Sequence, residues 1–441
     1  MMKKGLMVFL FGTIFISSVL AQEKFTNDDI SSLNNDVAIQ PSTGRQVKQQ
    51  IRSWFNKKNI VPKIASKSNK TYYSGTSVVN VPASNKNYPK ALQQAFESAF
   101  DKARSEFVFD RVGDQFSDKI VNTNENGSSD GRKFNPEMCD SSKLESIWNK
   151  VVALTDAKLD DALKENGVDP EEYKATPKMA QKELFFESSV ETLVKTASGE
   201  ISGLLPVQTF LATAKDGTSS VGVIMVFSPK LMSLVSDLKS GNQPSFSSKR
   251  AGKPMAYFVN KSADDLESTF GPRLVFNENG QPMVLAYGQW GASYHGNNTR
   301  QKERSRDLAF EKADMQAMQL IGEFLNGTLE SRSKQVSGSL IRHYIESDCK
   351  SQREKEEETI IDEMSKYMRI KGNANAKGSA VIREWSKINE FGVEIIGAVR
   401  AFSFDIFTQH TKSLQKENRE KAEFNTGIKK SVEDSDPEED W

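Results

Sequence analysis

The most regular pattern of small and large positions along the chain is a ladder of alanines at every fourth residue. It occurs twice, at Ala95, Ala99 and Ala103 and at Ala309, Ala313 and Ala317. Residues four apart lie on one face of an α-helix. Each ladder therefore predicts a helix with a smooth ridge that can approach a sheet or another helix closely. We expect these helices at about 89–109 and 300–325.

The two ladders lie at a constant offset, which indicates an internal duplication. The segment 95–99 (AFESA) aligns with 309–313 (AFEKA) at an offset of 214 residues. The same offset relates Tyr73 to Tyr287, and an offset of 215 relates Phe55 to Phe270. Several matches in the same order predict two copies of one structural unit.

Short strand-like runs surround both helices and are joined by turn-forming residues. Gly and Asn or acidic residues occupy the turns at 215–217, 277–280 and 389–392, where tight connections need them. The predicted strands of the first copy are 60–65, 71–81, 207–212 and 221–227, and those of the second are 273–276, 282–290, 380–385 and 393–404. Paired strands interrupted by helices favour an α+β fold of two tandem related units, each with antiparallel strands packed on its long alanine-ridged helix.

Further helices are predicted between these strands. We expect them at 43–57, 142–164 and 176–197 in the first copy, and at 263–270 and 351–367 in the second. The helix at 176–197 is predicted to begin with a Thr N-cap and with Pro177 in its first turn.

The polarity of the remaining segments predicts the domain boundaries. After a leader at 1–21 and an N-terminal segment at 22–41, we expect the first unit at 42–235. The second unit is predicted at 255–412, after a Ser- and Lys-rich linker at 236–254. A charged tail at 413–441 ends in an acidic run, which we expect to be disordered.

The leader is typical of a secretory signal peptide. Lys3 and Lys4 precede a short apolar run at 6–16, and small or apolar residues at 19–21 precede a cleavage point before Gln22. The alternative is an uncleaved anchor helix. No long apolar run follows, so we expect a periplasmic or extracellular protein without a transmembrane segment once the leader is removed.

Composition excludes several classes of function. The 59 basic residues balance the 59 acidic ones, so a nucleic-acid partner is not expected. Three histidines and two cysteines cannot build several zinc sites or an iron-sulfur centre, and no glycine-rich phosphate loop is present. The sequence therefore predicts no cofactor and no metal.

The two cysteines are a candidate disulfide in an oxidising compartment. Cys139 and Cys349 are 210 residues apart, close to the duplication offset, so a bond between them would link equivalent places in the two units. The alternative is two unrelated buried thiols.

Candidate ligand contacts are few. His295 follows a predicted strand and lies in a loop, a common location for binding or catalytic groups. The aromatic residues Tyr72, Tyr73, Trp290 and Tyr294 could line a groove for a glycan or a peptide, or could form one half-buried strand face. These residues carry two alternative hypotheses, a secreted hydrolase with a site around His295 and a glycan- or peptide-binding module.

The strand at 284–294 that leads into the alanine helix from Leu308 to Ala317 resembles domains of bacterial surface lipoproteins and flagellar outer-membrane assembly proteins. In those domains a strand also leads into a helix with Ala at four-residue intervals. The resemblance implies a non-catalytic cell-envelope protein that acts through protein contacts. This is the function we expect, with an envelope protein as the partner.

Overall fold

The computed structural model describes residues 42–125, 148–149, 151–240, 242, 252–294, 296–326, 328–331, 359, 361–366, 368–371 and 378–403. The predicted leader, Cys139, Cys349, His295 and the acidic tail lie outside the described residues. Those predictions stay predictions.

The chain begins its described part with helix α1, Thr43–Lys58. The Ser42 side chain accepts a hydrogen bond from the backbone N–H of Arg45 and caps the helix, and Asn59 ends it in the left-handed conformation at φ 52°. Val47, Ile51 and Phe55 recur every four residues and are buried, so α1 packs one apolar stripe against the first sheet.

The first sheet has three antiparallel strands in the order β1-β3-β2. These are β1 (Thr71–Val78), β2 (Leu204–Thr213) and β3 (Ser219–Phe227). The central strand β3 is buried along its whole length, because α1 covers one face and the long helix α2 (Tyr88–Glu125) covers the other. Gly217, at φ 84°, makes the tight turn between β2 and β3.

A group of helices lies between α2 and β2 in the chain. It comprises α3 (Asp156–Glu165), α4 (Pro170–Ala175) and α5 (Lys178–Gly199), followed by a short 3₁₀ turn at Glu200–Gly203. The residues around Tyr173, Phe185 and Phe186 form a small core of their own. Helix α6 (Pro229–Lys239) follows β3, so the predicted linker from residue 236 starts inside a helix.

The second sheet has four antiparallel strands in the order β4-β5-β9-β8. Two short helices, α7 (Met255–Val259) and α8 (Ala263–Glu267), precede it. The strands are β4 (Gly271–Phe276), β5 (Pro282–Gly291), β8 (Ser379–Ile388) and β9 (Glu394–Ser403), and the long helix α9 (Thr299–Asn326) follows β5. A separate pair, β6 (Thr328–Ser331) and β7 (Met368–Lys371), was not predicted.

The α+β fold and its two sheet-and-helix units are confirmed. In the order of the sheets, β1, β3 and β2 of the first correspond to β5, β9 and β8 of the second, and β4 is added at one edge. Each long helix approaches a strand at a glycine. A Cβ on Gly75 would overlap Ala99 and Ala103 of α2, and a Cβ on Gly288 would overlap Ala313 and Ala317 of α9. The alanine ladders therefore provide the same close contact twice.

The glycine contacts correct the predicted alignment of the strands. Gly75 and Gly288 make equivalent contacts and are 213 residues apart, whereas Tyr73 and Tyr287 are 214 residues apart. Tyr73 and Tyr287 therefore do not occupy equivalent positions in their strands. Tyr73 lies on the same face as Gly75 and contacts Phe107 of α2 at 5.3 Å between ring centroids. Tyr287 precedes Gly288 directly and therefore points away from α9, because successive side chains of a strand alternate between faces.

Other local predictions need correction. Residues 60–65 form turns rather than a strand, and the backbone N–H of Lys63 bonds to Tyr72 of β1. Phe55 and Phe270, which the alignment pairs, lie in different hydrophobic clusters. Phe55 packs on the outer face of the first sheet, and Phe270 lies in the main core. Pro177 itself caps α5, since Thr176 ends the preceding helix. The helix predicted at 142–164 is interrupted before Asp156, and α8 stops at Glu267.

Both sheets contribute to one main core. Phe270, fully buried just before β4, stacks on Phe96 of α2 at 5.1 Å between ring centroids and lies 6.0 Å from the ring of Phe100. Helix α2 thus packs on the first sheet with one side and holds the start of the second sheet with another. The described residues from 42 to 403 accordingly form one compact unit by their contacts.

A search for membrane spans finds, in the described part of the chain, no helix that combines the length and the apolar character needed to cross a bilayer.

Candidate functional site: an acidic cleft between the two sheets

A cleft of about 490 Å³ opens where the β8–β9 turn meets the first sheet. Its polar lining, which we call the acidic cleft, consists of Tyr88, Thr213, Asp264, Glu267, Ser268, Lys387, Asn389 and Glu390. Three carboxylates against one ammonium give this lining an excess of negative charge. Because the residues come from α2, β2, α8 and the β8–β9 turn, only the folded chain brings them together.

The β8–β9 turn is held in place by Asn389. Its side-chain oxygen accepts hydrogen bonds from the backbone N–H groups of Phe391 (3.1 Å) and Val393 (2.9 Å). Its amide nitrogen donates to the carbonyl of Ala83 at 3.0 Å, across the boundary between the two units. One buried side chain therefore shapes the turn and fixes it against the first unit.

Hydroxyl groups form one wall of the cleft. The buried Tyr88 hydroxyl donates to Ser219 Oγ at 3.0 Å, and Ser219 Oγ lies 3.0 Å from Thr213 Oγ1. Burial raises the pKa of Tyr88, and its hydrogen bonding with Ser219 and Thr213 acts in the opposite direction. Tyr88 therefore remains protonated at neutral pH and acts as a hydrogen-bond donor.

Lys387 is held between two carboxylates. Its Nζ lies 2.6 Å from Asp264 Oδ1 and 2.5 Å from Glu267 Oε2. Burial favours a lower pKa for Lys387, but its hydrogen bonds to Asp264 and Glu267 outweigh that effect and raise the pKa. An ammonium so strongly held in its charged form is suited to structure and unsuited to act as a base or nucleophile.

The lining of the cleft carries hydroxyl groups and carboxylates. The hydroxyls of Tyr88, Ser219 and Thr213 bond to one another. Asp264, whose side chain is 79% exposed, and the exposed Glu390 leave negative charge available at the mouth of the cleft.

The aromatic residues predicted to share a ligand groove lie in three different clusters. Tyr73 is 1% exposed, and its hydroxyl donates to Asp110 at 2.6 Å. Tyr72, on the other face of β1, packs with Trp54 and Phe55 of α1. The structure does not bring these two tyrosines together with Trp290 or Tyr294.

Trp290 and Tyr294 lie beside α9 in the second unit. Trp290 is half-buried, and Lys312 Nζ of α9 lies 5.3 Å from its ring centroid. The backbone N–H of Tyr294 donates to Ser305 Oγ at 2.9 Å, and its hydroxyl accepts from Asn298. These contacts fix the start of α9 on its sheet.

The residues of the acidic cleft were missed as a site by sequence reasoning. The turn at 389–392 was predicted, but its role as a contact with Ala83 depends on residues 306 positions apart. The available signal was local: an Asn at the start of a turn bonds its own backbone. No local sequence pattern indicates that the Asn389 side chain also bonds to the carbonyl of Ala83.

The strongest perturbation of a described carboxyl lies elsewhere, on α2. Burial raises the pKa of Asp101 to about 6, although Arg104 Nη1, 2.9 Å from Asp101 Oδ1, acts to lower it. Glu97 and Glu323 add negative charge nearby and favour the protonated form further.

This raised pKa predicts a pH-dependent contribution to stability. The folded state binds the proton of Asp101 more tightly than the unfolded state, so the contribution is complete below about pH 4 and is lost as the pH rises through about 6. Relative to Asp101→Asn, wild-type stability should fall by at most about 3 kcal/mol between pH 4 and 7. Chemical denaturation across this pH range measures the change in the free energy of unfolding. The control, Asp307→Asn at an exposed position on α9, should show no such trend, and equal pH slopes for wild type and Asp101→Asn would contradict the prediction.

A domain family matches part of the chain. Residues 144–240 match a family model described as a domain of unknown function (DUF6844). The match spans the helical group, the β2–β3 hairpin and α6. No curated protein matches the chain.

Among solved structures, the chain is similar to a hypothetical protein from Francisella tularensis. That structure shares 21% sequence identity and a TM-score of 0.49, over 82% of this chain and 92% of the other.

Proposed function

We propose that this protein is an exported, non-catalytic interaction protein of the cell envelope, and that it binds a partner protein through the acidic cleft. The observation that carries the proposal is the cleft itself, a cavity of about 490 Å³ with excess carboxylates and a wall of hydroxyl groups. Such a lining offers charge and hydrogen bonds to a ligand.

The chemistry of the cleft favours a basic segment of the partner. Lys387 neutralises part of the charge of Asp264 and Glu267, while no described residue forms an ion pair with the exposed Glu390. A lysine or arginine side chain entering the cleft would find carboxylates at its mouth and hydroxyl acceptors along its wall. Charge complementarity of this kind gives specificity and speeds association.

Two features of the sequence support an envelope location. The leader pattern at 1–21 is typical of exported proteins, and the strand-and-alanine-helix unit resembles domains of envelope proteins. The duplication gives the interaction hypothesis a physical basis, since residues of both related units line the cleft.

Affinity capture from an envelope extract tests the proposal. The full chain is produced with its leader, recovered from the envelope fraction, and its mass is measured to find the expected start at Gln22. The charge-reversed variant Asp264→Lys/Glu390→Lys is compared with wild type, with Asp216→Lys/Glu278→Lys, at two exposed turns, as the matched control.

We expect a partner that wild type and the control retain, that the cleft variant loses by about tenfold or more, and that moderate salt releases. A partner set identical for all three proteins would show that the cleft is not the binding site. Recovery of the chain only from the cytosol, with the leader intact, would contradict the envelope location.

A further inference from the structure

Three hydrogen-bond donors converge on one face of β4 and β5, away from α9. Gly271 pairs with Tyr287 and Arg273 pairs with Leu285, so Arg273 and Tyr287 are diagonal neighbours on the same face. Lys261, in the connection between α7 and α8, places its Nζ 5.8 Å from the centroid of the Tyr287 ring. Two cations and one phenol therefore share a small region.

Arg273 has only neutral acceptors. Its Nη1 donates to the carbonyl of Pro272 at 2.9 Å and its Nη2 to Thr209 Oγ1 at 3.0 Å. A guanidinium carries five N–H groups, so three remain without an acceptor in the part of the chain that the structure describes. No described carboxylate forms an ion pair with Arg273 or with Lys261. Arg273 is half-buried, and an anion that reached its remaining N–H groups would form charge-assisted hydrogen bonds with them.

Tyr287 presents the same incomplete bonding. The residue is 2% exposed, and no described group forms a hydrogen bond with its hydroxyl. A phenol hydroxyl can donate one hydrogen bond to a ligand group that reaches it. Burial raises the pKa of Tyr287, so the hydroxyl keeps its proton and can donate a hydrogen bond.

The charge of Arg273 disfavours the charged form of Lys261. Burial lowers the pKa of Arg273 to about 10, so the guanidinium stays charged at neutral pH. Burial, followed by the charge of Arg273, lowers the pKa of Lys261, while Asp265 acts in the opposite direction from α8. An anion between the two cations would relieve their repulsion and supply the missing acceptors.

We propose that Arg273, Lys261 and Tyr287 form a binding site for an oxyanion, the carboxylate or phosphate group of a ligand. Tyr257, 53% exposed, and Lys253, whose Nζ lies 5.2 Å from the Tyr257 ring centroid, extend the cationic and aromatic surface outward from it. None of these five residues lines the acidic cleft, and the charge preference is the opposite one. The site is therefore separate from the proposed partner-binding surface.

Thermal unfolding of the full-length mature protein with two probes tests the site. Inorganic phosphate and acetate are titrated separately at constant ionic strength, with chloride as the reference anion. We expect a saturable rise in the Tm of wild type, because an anion that binds the folded state alone stabilises it. A rise with phosphate alone identifies a phosphorylated ligand, and a rise with acetate identifies a carboxylate.

Variants separate specific binding from a general salt effect. Arg273→Gln should weaken the apparent affinity about tenfold or more, since it removes charge-assisted hydrogen bonds. Tyr287→Phe, which removes only the hydroxyl, and Lys261→Met, at a half-buried position, provide two tests should Arg273→Gln fail to fold. Lys302→Gln, at an exposed position on α9, is the control and should bind as wild type does. No Tm rise with either probe, or the same rise in every variant, would overturn the proposal.

Discussion

Gly75→Ala and Gly288→Ala should each destabilise the protein by about 3 kcal/mol or more, since overpacking of this kind forces the backbone to move. A methyl group on Gly75 would overlap the Ala99 carbonyl oxygen and lie 2.8 Å from the Ala103 nitrogen. On Gly288 it would overlap the Ala313 carbonyl oxygen and lie 2.8 Å from the Ala317 nitrogen. In both places the obstacle is helix backbone, so the whole helix would have to separate from its sheet.

Urea denaturation of each variant measures the loss of unfolding free energy. The matched control is Gly199→Ala at the end of α5, where an added Cβ meets nothing within 4 Å. We expect that control to be neutral or slightly stabilising, because alanine favours a helix over glycine. If only one of the two glycines were sensitive, the two sheet-and-helix contacts would not be equivalent.

Phe270→Ala should cost about 3 to 5 kcal/mol, as expected for removal of a large, fully buried aromatic ring. Phe270 stacks on Phe96 and also contacts Phe100, both from the helix of the other unit. The resulting cavity would therefore lie at the junction of the two units. We expect both sheets to lose stability together.

Hydrogen exchange of the backbone amides resolves this question. Protection should fall by similar factors in β3 and in β9, the central strands of the two sheets, because they share one core. Phe310→Ala, at a half-buried position in a separate cluster, is the control and should cause a smaller loss. Loss of protection confined to β4, β5, β8 and β9 would show that the second unit unfolds independently.

The proposed binding surface lies where the two units meet. Each unit has a sheet with one long helix packed on a glycine. When α2 of the first unit also holds Phe270 of the second, the β8–β9 turn comes against Ala83, and the polar ends of several elements meet. The acidic cleft and the cationic site at Arg273 both lie near this junction, with opposite charge preferences.

Local patterns determined much of the architecture. The alanine ladders predicted both long helices because a four-residue period defines a helix face, and glycine-containing turns predicted three hairpins because few residues adopt a positive φ. The strand at 60–65 is predicted as the first-copy counterpart of the strand at 273–276. Instead, the backbone N–H of Lys63 donates to the carbonyl of Tyr72, a contact that no local sequence pattern indicates.

What only the tertiary structure decided is which residues meet. The one-residue difference between the offsets of the helices and the strands places Tyr73 toward its helix and Tyr287 away from its own, and this reversal leaves the Tyr287 hydroxyl beside Arg273. The amino-acid sequence determined the repeated unit, because short-range periodicity selects helix or strand. The packing of one unit on the other decided the acidic cleft, because its contacts join residues far apart in the chain, such as Asn389 and Ala83.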